Sequence, residues 1–576
     1  NYYSYVFYVF PLGSRYDGIR NPDFNIDQNW DSSYYYKSMI ENNCWNSKIF
    51  IPFRDLRFYG KPPYNWKLIV TRYISDKREY YSVPYVITSL GKDYFRRAKD
   101  FQINQEIAKP SGYNIRPYAL INYNTLDNET QFNKDNFGLD FSYKPNFSSQ
   151  LKFSFNPDFS DIPLDDEIDL YNLRYAPTLQ ENRFFFIEDF NAFGIDNSKF
   201  YSRNIFQPQL ALKLTANSAN YSYGFLIVKD KDTDYSDDDL FSIAAVNPSG
   251  NNYNFQITLL NRMNKEYHNE VLHLKPTFEI SSNKELWFDV NLSAKKKENS
   301  ELTTGYFCAT GIKVFEDNIN VTLSGLQMSE DYAMDMGKIY EDDYYGWSLD
   351  GSYIRDVYTN QIRTIYTEFT FSEEIDNRTN TLLERLLIFS VNFETFHNIT
   401  FTPDFNYVKE FYSSRYFNKY RLGFRFQWDF LAFFKPKFSW NKLETIIYSL
   451  ESNHSCNYYQ FALNGDIGKH VSYFISADKI QYPDLQKQPS IDNKYWIING
   501  DVDITFSNNI FLSSGFGFNN YEYYQYSDHW GIYSNLIWEY KPQSRIVVGL
   551  KSAIDKIYDD PKKDYETFYF KISYSY

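Results

Sequence analysis

The sequence predicts an all-β protein built around a large closed antiparallel barrel, and three observations predict it. Among 576 residues there are 56 Tyr and 52 Phe, yet 23% of residues are charged and the mean hydropathy is negative. Aromatics interleaved this densely with polar groups suit strands, whose side chains alternate between two faces. The second observation is that alternation itself. Tyr253, Phe255, Ile257 and Leu259 oppose Asn254, Gln256 and Thr258, and Leu286, Phe288, Val290 and Leu292 oppose Trp287, Asp289, Asn291 and Ser293. The third is that the connections alternate between short and long. Compact turn chemistry marks 217–220, 247–251, 281–284, 316–318, 359–361, 507–509 and 541–544. Longer polar stretches fall between, at 231–239, 262–268, 296–302, 328–345, 482–494 and 553–564. Short turns on one side and longer loops on the other are what a transmembrane barrel of an outer membrane requires.

Taken in order, residues 1–90 read as a small β-sandwich in water. Ile49, Ile51 and Phe53 alternate before a turn, and Trp66, Leu68 and Val70 alternate after it. The module reads as cut short at its front. No charged-then-apolar leader opens the chain at Asn1, so a leader is expected to have been removed or never built. Trp66 reads as core, whereas Trp30, in "DQNWDSS", is the candidate for stacking on a sugar ring. Residues 91–112, with Arg96, Arg97 and Lys99, are expected to link this module to a barrel over 113–576.

About 24 strands are expected there, an even number that returns the C-terminus to the side where the first strand starts. A soluble sheet this long would split or need its edges covered, whereas closure removes every edge. No run of about 18 apolar residues provides a spanning helix, but a barrel strand needs only about ten alternating residues. The last strand carries Phe568, Phe570, Ile572, Tyr574 and Tyr576 on one face and Tyr569, Lys571, Ser573 and Ser575 on the other. An aromatic final residue on such a strand is similar to the signal read by the barrel assembly machinery, with Phe570, Ile572, Tyr574 and Tyr576 as its elements here.

The segment 157–199 follows an outbound third strand and is far too long for an idle loop, so it is expected to fold inward. Asp158, Asp161, Asp165, Asp166 and Glu167 come first, and Arg174, Arg183 and Glu188 follow. Opposite charges would pair and pin the segment to the wall. It is either a plug or constriction, or a latch that holds the barrel's shape. The acidic run 229–240 lacks the turn glycine and closing glutamate of a calcium loop, with Tyr235 and Phe241 there instead. It reads as a solvated loop, with divalent bridging to lipopolysaccharide as the alternative.

A net charge of −14 argues against a nucleic-acid partner. Cys44, Cys308 and Cys456 fit no metal or redox spacing, and the six histidines form no metal or catalytic motif. We therefore nominate no catalytic residue, metal or cofactor.

One stretch, "FGLDFSYKPNFSSQLKFSFNPDFSDIPLDDEIDLYNLRYAPTLQENRFFFIEDFNAFG" at 137–194, resembles a family of bacterial outer-membrane barrels preceded by a carbohydrate-binding family 9-like domain. The motifs that carry the resemblance are Gly138–Leu139–Asp140, Asn156 to Ser160, Asn172–Leu173–Arg174, and Glu181 to Glu188 with Arg183. It extends to "FYSRNI" at 200–205, which contains Arg203, and to "IPFRDLRF" at 51–58 with Trp66 and Arg72. Lys48, Asn204 and Phe206 depart from the family's usual Glu, Arg and Gly. The resemblance implies a periplasmic sugar-binding-like module attached to an outer-membrane barrel, with Asn156, Asp158, Asp165, Arg174, Glu181, Arg183, Glu188 and Arg203 as lumen residues. The resemblance supplies no activity; the barrel, its inward-folded segment and the periplasmic module lead us to expect the passage or handling of a glycan or another envelope molecule. The alternatives are a non-conducting scaffold subunit with envelope protein partners, and an outer-membrane hydrolase. Outer-membrane lipid and lipopolysaccharide are the expected surroundings.

Overall fold

The computed structural model describes residues 4–575 except 11–14, 21–25, 28–31, 33, 42–43, 54–55, 57, 59, 75–78, 87–94, 96, 108–111, 127–128, 147, 158–163, 170–171, 182, 219, 232–237, 251, 282, 317, 340, 358, 360, 430, 432, 469, 487–492, 508, 521–525, 542–543 and 558–559. Trp30, Asp158 and Tyr576 lie outside the described residues.

Strands from Gly112–Leu126 to Asp560–Ser573 pair antiparallel, each with its sequence neighbour, and the last pairs with the first to close a barrel of 24. The closing ladder runs from Tyr118 opposite Ser573 to Leu126 opposite Tyr565. With strands about 4.8 Å apart and tilted by about 40°, a circular cylinder of this size is roughly 45–50 Å across. Such a width cannot be filled by wall side chains alone.

Alternation sets the two surfaces. On the terminal strand Phe568, Phe570, Ile572 and Tyr574 are exposed, while Thr567, Tyr569, Lys571, Ser573 and Ser575 are buried. Val246, Leu323, Leu422, Phe461 and Leu536 likewise stand exposed on the outer face. A wall that presents rows of exposed aliphatic and aromatic side chains outward is built for acyl chains rather than water.

The sequence pattern predicts a water-lined interior, and over two sectors the structure corrects this: Ile447, Cys456, Ile480, Tyr495 and Ile497 form a smaller dry cluster with Tyr482 and Leu485, and the larger lies on the short strands. Leu226, Val228, Phe241, Ile243, Leu260 and Val271 point inward and are at most 2% exposed. They are dry because the chain between the third and fourth strands packs over them from inside. Strands here are short, with Ser149–Phe155, Pro208–Asn217, Tyr221–Asp230, Leu240–Pro248 and Tyr253–Met263 running 7 to 11 residues. Elsewhere strands such as Ile362–Asp376 and Ser452–Ile467 reach 15 and 16.

Two stretches expected to be long loops are mostly strand. Tyr253–Met263 and Tyr267–Ser281 leave only 264–266 between them, and Ser544–Ile557 pairs with Asp560–Ser573 through most of 553–564. Backbone pairing needs no apolar face, so a ladder continues into water where side chains turn polar.

Ahead of the barrel, the described strands form four small antiparallel sheets. Ser4–Val9 pairs with Arg15–Arg20, which pairs with Ile26–Asp27; Tyr35–Glu41 pairs with Cys44–Phe50, and Val70–Ile74 with Glu79–Val83. The fourth joins Tyr64–Leu68 to Lys99–Ile103, so the stretch expected to be a plain linker returns to the N-terminal module before entering the barrel. Trp66 is half-buried there, against the rings of Phe53, Phe58 and Phe101.

A lumenal segment in two halves

The third strand ends at Phe155 and the fourth begins at Pro208, and the chain between them folds into the barrel. Asn156 makes the corner. Its φ of 48° is left-handed, a conformation asparagine tolerates better than most residues. Its backbone N–H donates to the Gln209 carbonyl at 2.7 Å, its Nδ2 donates to the Phe137 carbonyl at 3.0 Å, and its own carbonyl accepts from the Tyr118 hydroxyl.

Residues 164–169 and 172–181 then lie along the wall as a strap held by polar contacts. The Glu167 backbone exchanges two hydrogen bonds with the Asn499 amide, at 2.8 and 2.9 Å. The Glu167 carboxylate takes Asn519 Nδ2 at 2.6 Å and sits 3.0 Å from His529 Nε2. The Tyr495 hydroxyl reaches the Asp169 carboxylate at 3.0–3.1 Å. Asn172 pairs with the backbone at the end of Lys435–Ile447, giving Nδ2 to the Ile446 carbonyl and accepting from Tyr448 N–H. Arg174 then bridges Glu341 at 2.5 Å and Glu410 at 2.6 Å, with the Tyr175 and Tyr412 rings beside its guanidinium. From Glu167 to Arg174 the strap thus crosses the sector from Tyr526–Lys541 round to Ile399–Tyr412.

Residues 183–207 form the other half, an anchor held by apolar packing on the opposite side of the ring. Phe186, Phe193, Phe200 and Ile205 join the inward-facing residues of the short-strand sector in one core. The Phe193 ring lies where Gly224 has no side chain, and a Cβ there would stand 2.8 Å from the ring. Polar groups at the margin close the remaining gaps. Asn247 Nδ2 donates to the Ala192 carbonyl at 2.7 Å and the Thr258 hydroxyl to the Phe193 carbonyl at 3.0 Å. The buried Lys213 ammonium donates to the Phe185 and Glu188 carbonyls, and Lys152 pairs with the Glu188 carboxylate.

A lock joins the halves. The Arg183 guanidinium grips Glu181 and donates to the carbonyls of Ser202 and Ile205 at 2.6 and 2.7 Å, and the Ser202 hydroxyl donates to Glu181 at 2.5 Å. Burial pushes the Glu181 carboxyl up, but the Arg183 bonds and charge, with Ser202, outweigh it and hold the group below the usual carboxylate range. Arg203 pairs with Asp165 through both terminal nitrogens and also donates to the Gln180 carbonyl. Near the start of the strap the effect is the reverse. Burial, then the charges of Asp501, Asp165 and Glu167, raise Asp166 above the usual range.

Of the sequence-nominated residues, the structure brings Asp165 to Arg203 and Glu181 to Arg183, and places Glu188 against Lys152; Asn156 and Arg174 stand apart from these and from one another. The sequence reading missed the strap's partners Glu410, on the wall, and Glu341, on the loop before Tyr344–Asp356. It also missed the inward fold of the loop 329–343, where Tyr332, Met334 and Met336 enter the anchor core and Met336 accepts a backbone hydrogen bond from Tyr201. The signal was available in "YAMDMG" at 332–337, an apolar run in a loop otherwise expected to face water. Among the described residues, no group of three or more His, Cys, Asp or Glu is placed to hold a metal ion.

No protein-family model matches the chain, and no curated protein matches it. Solved structures do. OpdQ of Pseudomonas aeruginosa is similar over 81% of this chain and 99% of its own, at 8% identity and a TM-score of 0.29. The copper transporter OprC matches over 83% and 82%, at 9% identity and 0.40. A point mutant of the ferric enterobactin receptor PfeA of Pseudomonas aeruginosa matches over 82% of each chain at 8% identity and 0.39. At such values the likeness is one of barrel architecture and says nothing of cargo.

Proposed function

We propose that this protein is an outer-membrane barrel through which a polar envelope molecule, a glycan being the leading class, is handled or passed, with residues 164–207 as the constricting element. The observation that carries the reading is the division of that segment. One half is fixed to the wall by a dry core of its own side chains, and the other crosses the opposite sector on hydrogen bonds and ion pairs. Such a strap can move without dismantling the barrel. Asp165, Arg174, Glu181, Arg183, Glu188 and Arg203 serve in this reading as tethers and lock, and Asn156 as the corner.

The N-terminal module is read as periplasmic and sugar-binding-like. Its support is the resemblance carried by residues 51–58 with Trp66 and Arg72. The outward aromatic face ending at Tyr574 serves as the assembly signal.

Single-channel recording on a variant lacking 164–179, which keeps the anchor and the lock, tests the proposal. Conductance is expected to rise several-fold over the intact chain. An unchanged current from a correctly folded barrel would leave the segment a structural latch and favour the scaffold reading, which co-purification of partner proteins from native membranes would then support.

A further inference from the structure

The outer face of the short-strand sector carries an apolar trough. Ala244 faces outward with Phe225 opposite it on one neighbouring strand and Leu259 on the other. A methyl group among large side chains leaves a depression, bounded by Tyr221, Tyr223, Ile257, Leu259 and Leu272, of about 510 Å³. That is within the range of about 300–1,000 Å³ usual for small-molecule sites. Its floor is backbone at Gly224 and Ala245, and the anchor backs it from inside, with the Phe193 ring against Gly224. The floor is therefore stiff and the depression is permanent.

Its depth in the membrane follows from strand length. Leu240–Pro248 has nine residues. At about 3.4 Å per residue and about 40° of tilt these span roughly 23 Å along the membrane normal, close to the apolar band of such barrels. Ala244 stands at the middle of that height, and Tyr221, paired with Pro248, stands at the rim of short connections. The trough thus runs from the midplane to one rim, the depth of one leaflet. Chemistry at the rim narrows the occupant. There is no Lys or Arg from Leu214 to Val228 or from Phe241 to Asn261. The phosphates of lipopolysaccharide would find no cation there, whereas a zwitterionic headgroup needs none.

We propose that the trough is an acyl-chain site that retains one zwitterionic phospholipid from the leaflet at the short-connection rim. Native mass spectrometry of the full chain released from detergent tests this, using Ala244→Phe to fill the trough and Val321→Phe, outward-facing on another strand, as control. The intact protein and the control are expected to retain one phosphatidylethanolamine more than Ala244→Phe, and added phosphatidylethanolamine should restore it only to the first two. Ala244→Leu, which fills less space, gives the same comparison if the phenylalanine variant fails to show the heat-modifiable band of a folded barrel. Equal lipid counts in the intact chain and a folded trough variant would overturn the site. So would displacement of the phospholipid by lipopolysaccharide at equal concentration.

Discussion

The anchor and the strap are consecutive parts of one segment, inside one barrel, and they are held by opposite kinds of force. Burying a Phe or Ile side chain in the anchor is worth about 1.5–3 kcal/mol, and salt hardly affects it. The strap's ion pairs mostly retain partial exposure, about a quarter for Arg174 and for Glu341 and a third for Asp165, while Glu410 is 1% exposed. Pairs of that kind contribute about 0–1 kcal/mol each and weaken as salt rises. The difference sets a hierarchy of release in which the strap leaves first and the anchor only with the barrel.

The largest expected effect comes from breaking the anchor. Phe193 is 0% exposed. Phe193→Ala leaves a cavity and should cost about 3–5 kcal/mol, read as a lower urea midpoint for unfolding of the barrel in lipid. Gly224→Leu attacks the same contact from the wall and should shift the midpoint in the same direction, because its side chain enters the space of the Phe193 ring. If Phe193→Ala unfolds with the intact chain while strap variants lower the midpoint, the hierarchy is inverted.

The barrel was legible in the sequence because lipid outside and water or packing inside impose a period of two on every strand, and that period survives without knowledge of partners. The terminal strand shows this, with Phe568 to Tyr574 outward as the alternation requires. The anchor was not legible. Leu226, Val228, Phe241 and Ile243 read as ordinary strand residues whichever way they face, and only the arrival of Phe193 and Phe200 over them decides that the interior is dry there. Charge pairing within the segment could be guessed, and Asp165 does meet Arg203. The partners of Arg174 could not, since Glu341 and Glu410 lie 167 and 236 residues away and the sequence holds many other carboxylates.

The next effect in size sharpens the comparison from the strap side. Arg174→Ala removes two charged hydrogen bonds, each worth about 1.5–3 kcal/mol when fully buried and less at this exposure. Glu410 keeps Lys419 as a partner, so its charge is not stranded. The expected outcome is a roughly ten-fold rise in proteolytic nicking within 164–181, with the urea midpoint of the barrel unchanged. Raising ionic strength from about 0.1 M to about 1 M shortens the screening length from about 10 Å to about 3 Å and should produce the same nicking in the intact chain. Cleavage within 183–207 should not change in either case. Equal sensitivity of both halves to salt would end the distinction between them.

Acidity should act on the strap and on the lock in opposite directions, with the smallest effect of the three. Asp166 titrates above the usual carboxylate value of 3.8 in the closed strap, so its ionised form carries a penalty at neutral pH that is removed as pH falls through its raised value. Glu181, held below its usual 4.5, contributes stability that is complete above that value and is lost only as pH falls below it, through its depressed value. As pH falls from neutral through the raised value of Asp166, therefore, nicking of the strap should fall while the lock stays intact above the usual 4.5 of Glu181, and the change should be no more than a few-fold because Asp166 is more than a third exposed. Below about pH 4 the lock should weaken and nicking near 181–183 should begin. Asp166→Asn removes the penalty without acid, so its strap should be nicked more slowly than the intact chain at pH 7, and the difference should close as pH falls through the raised value of Asp166. A strap in Asp166→Asn that still tightens on acidification would assign the response to another group.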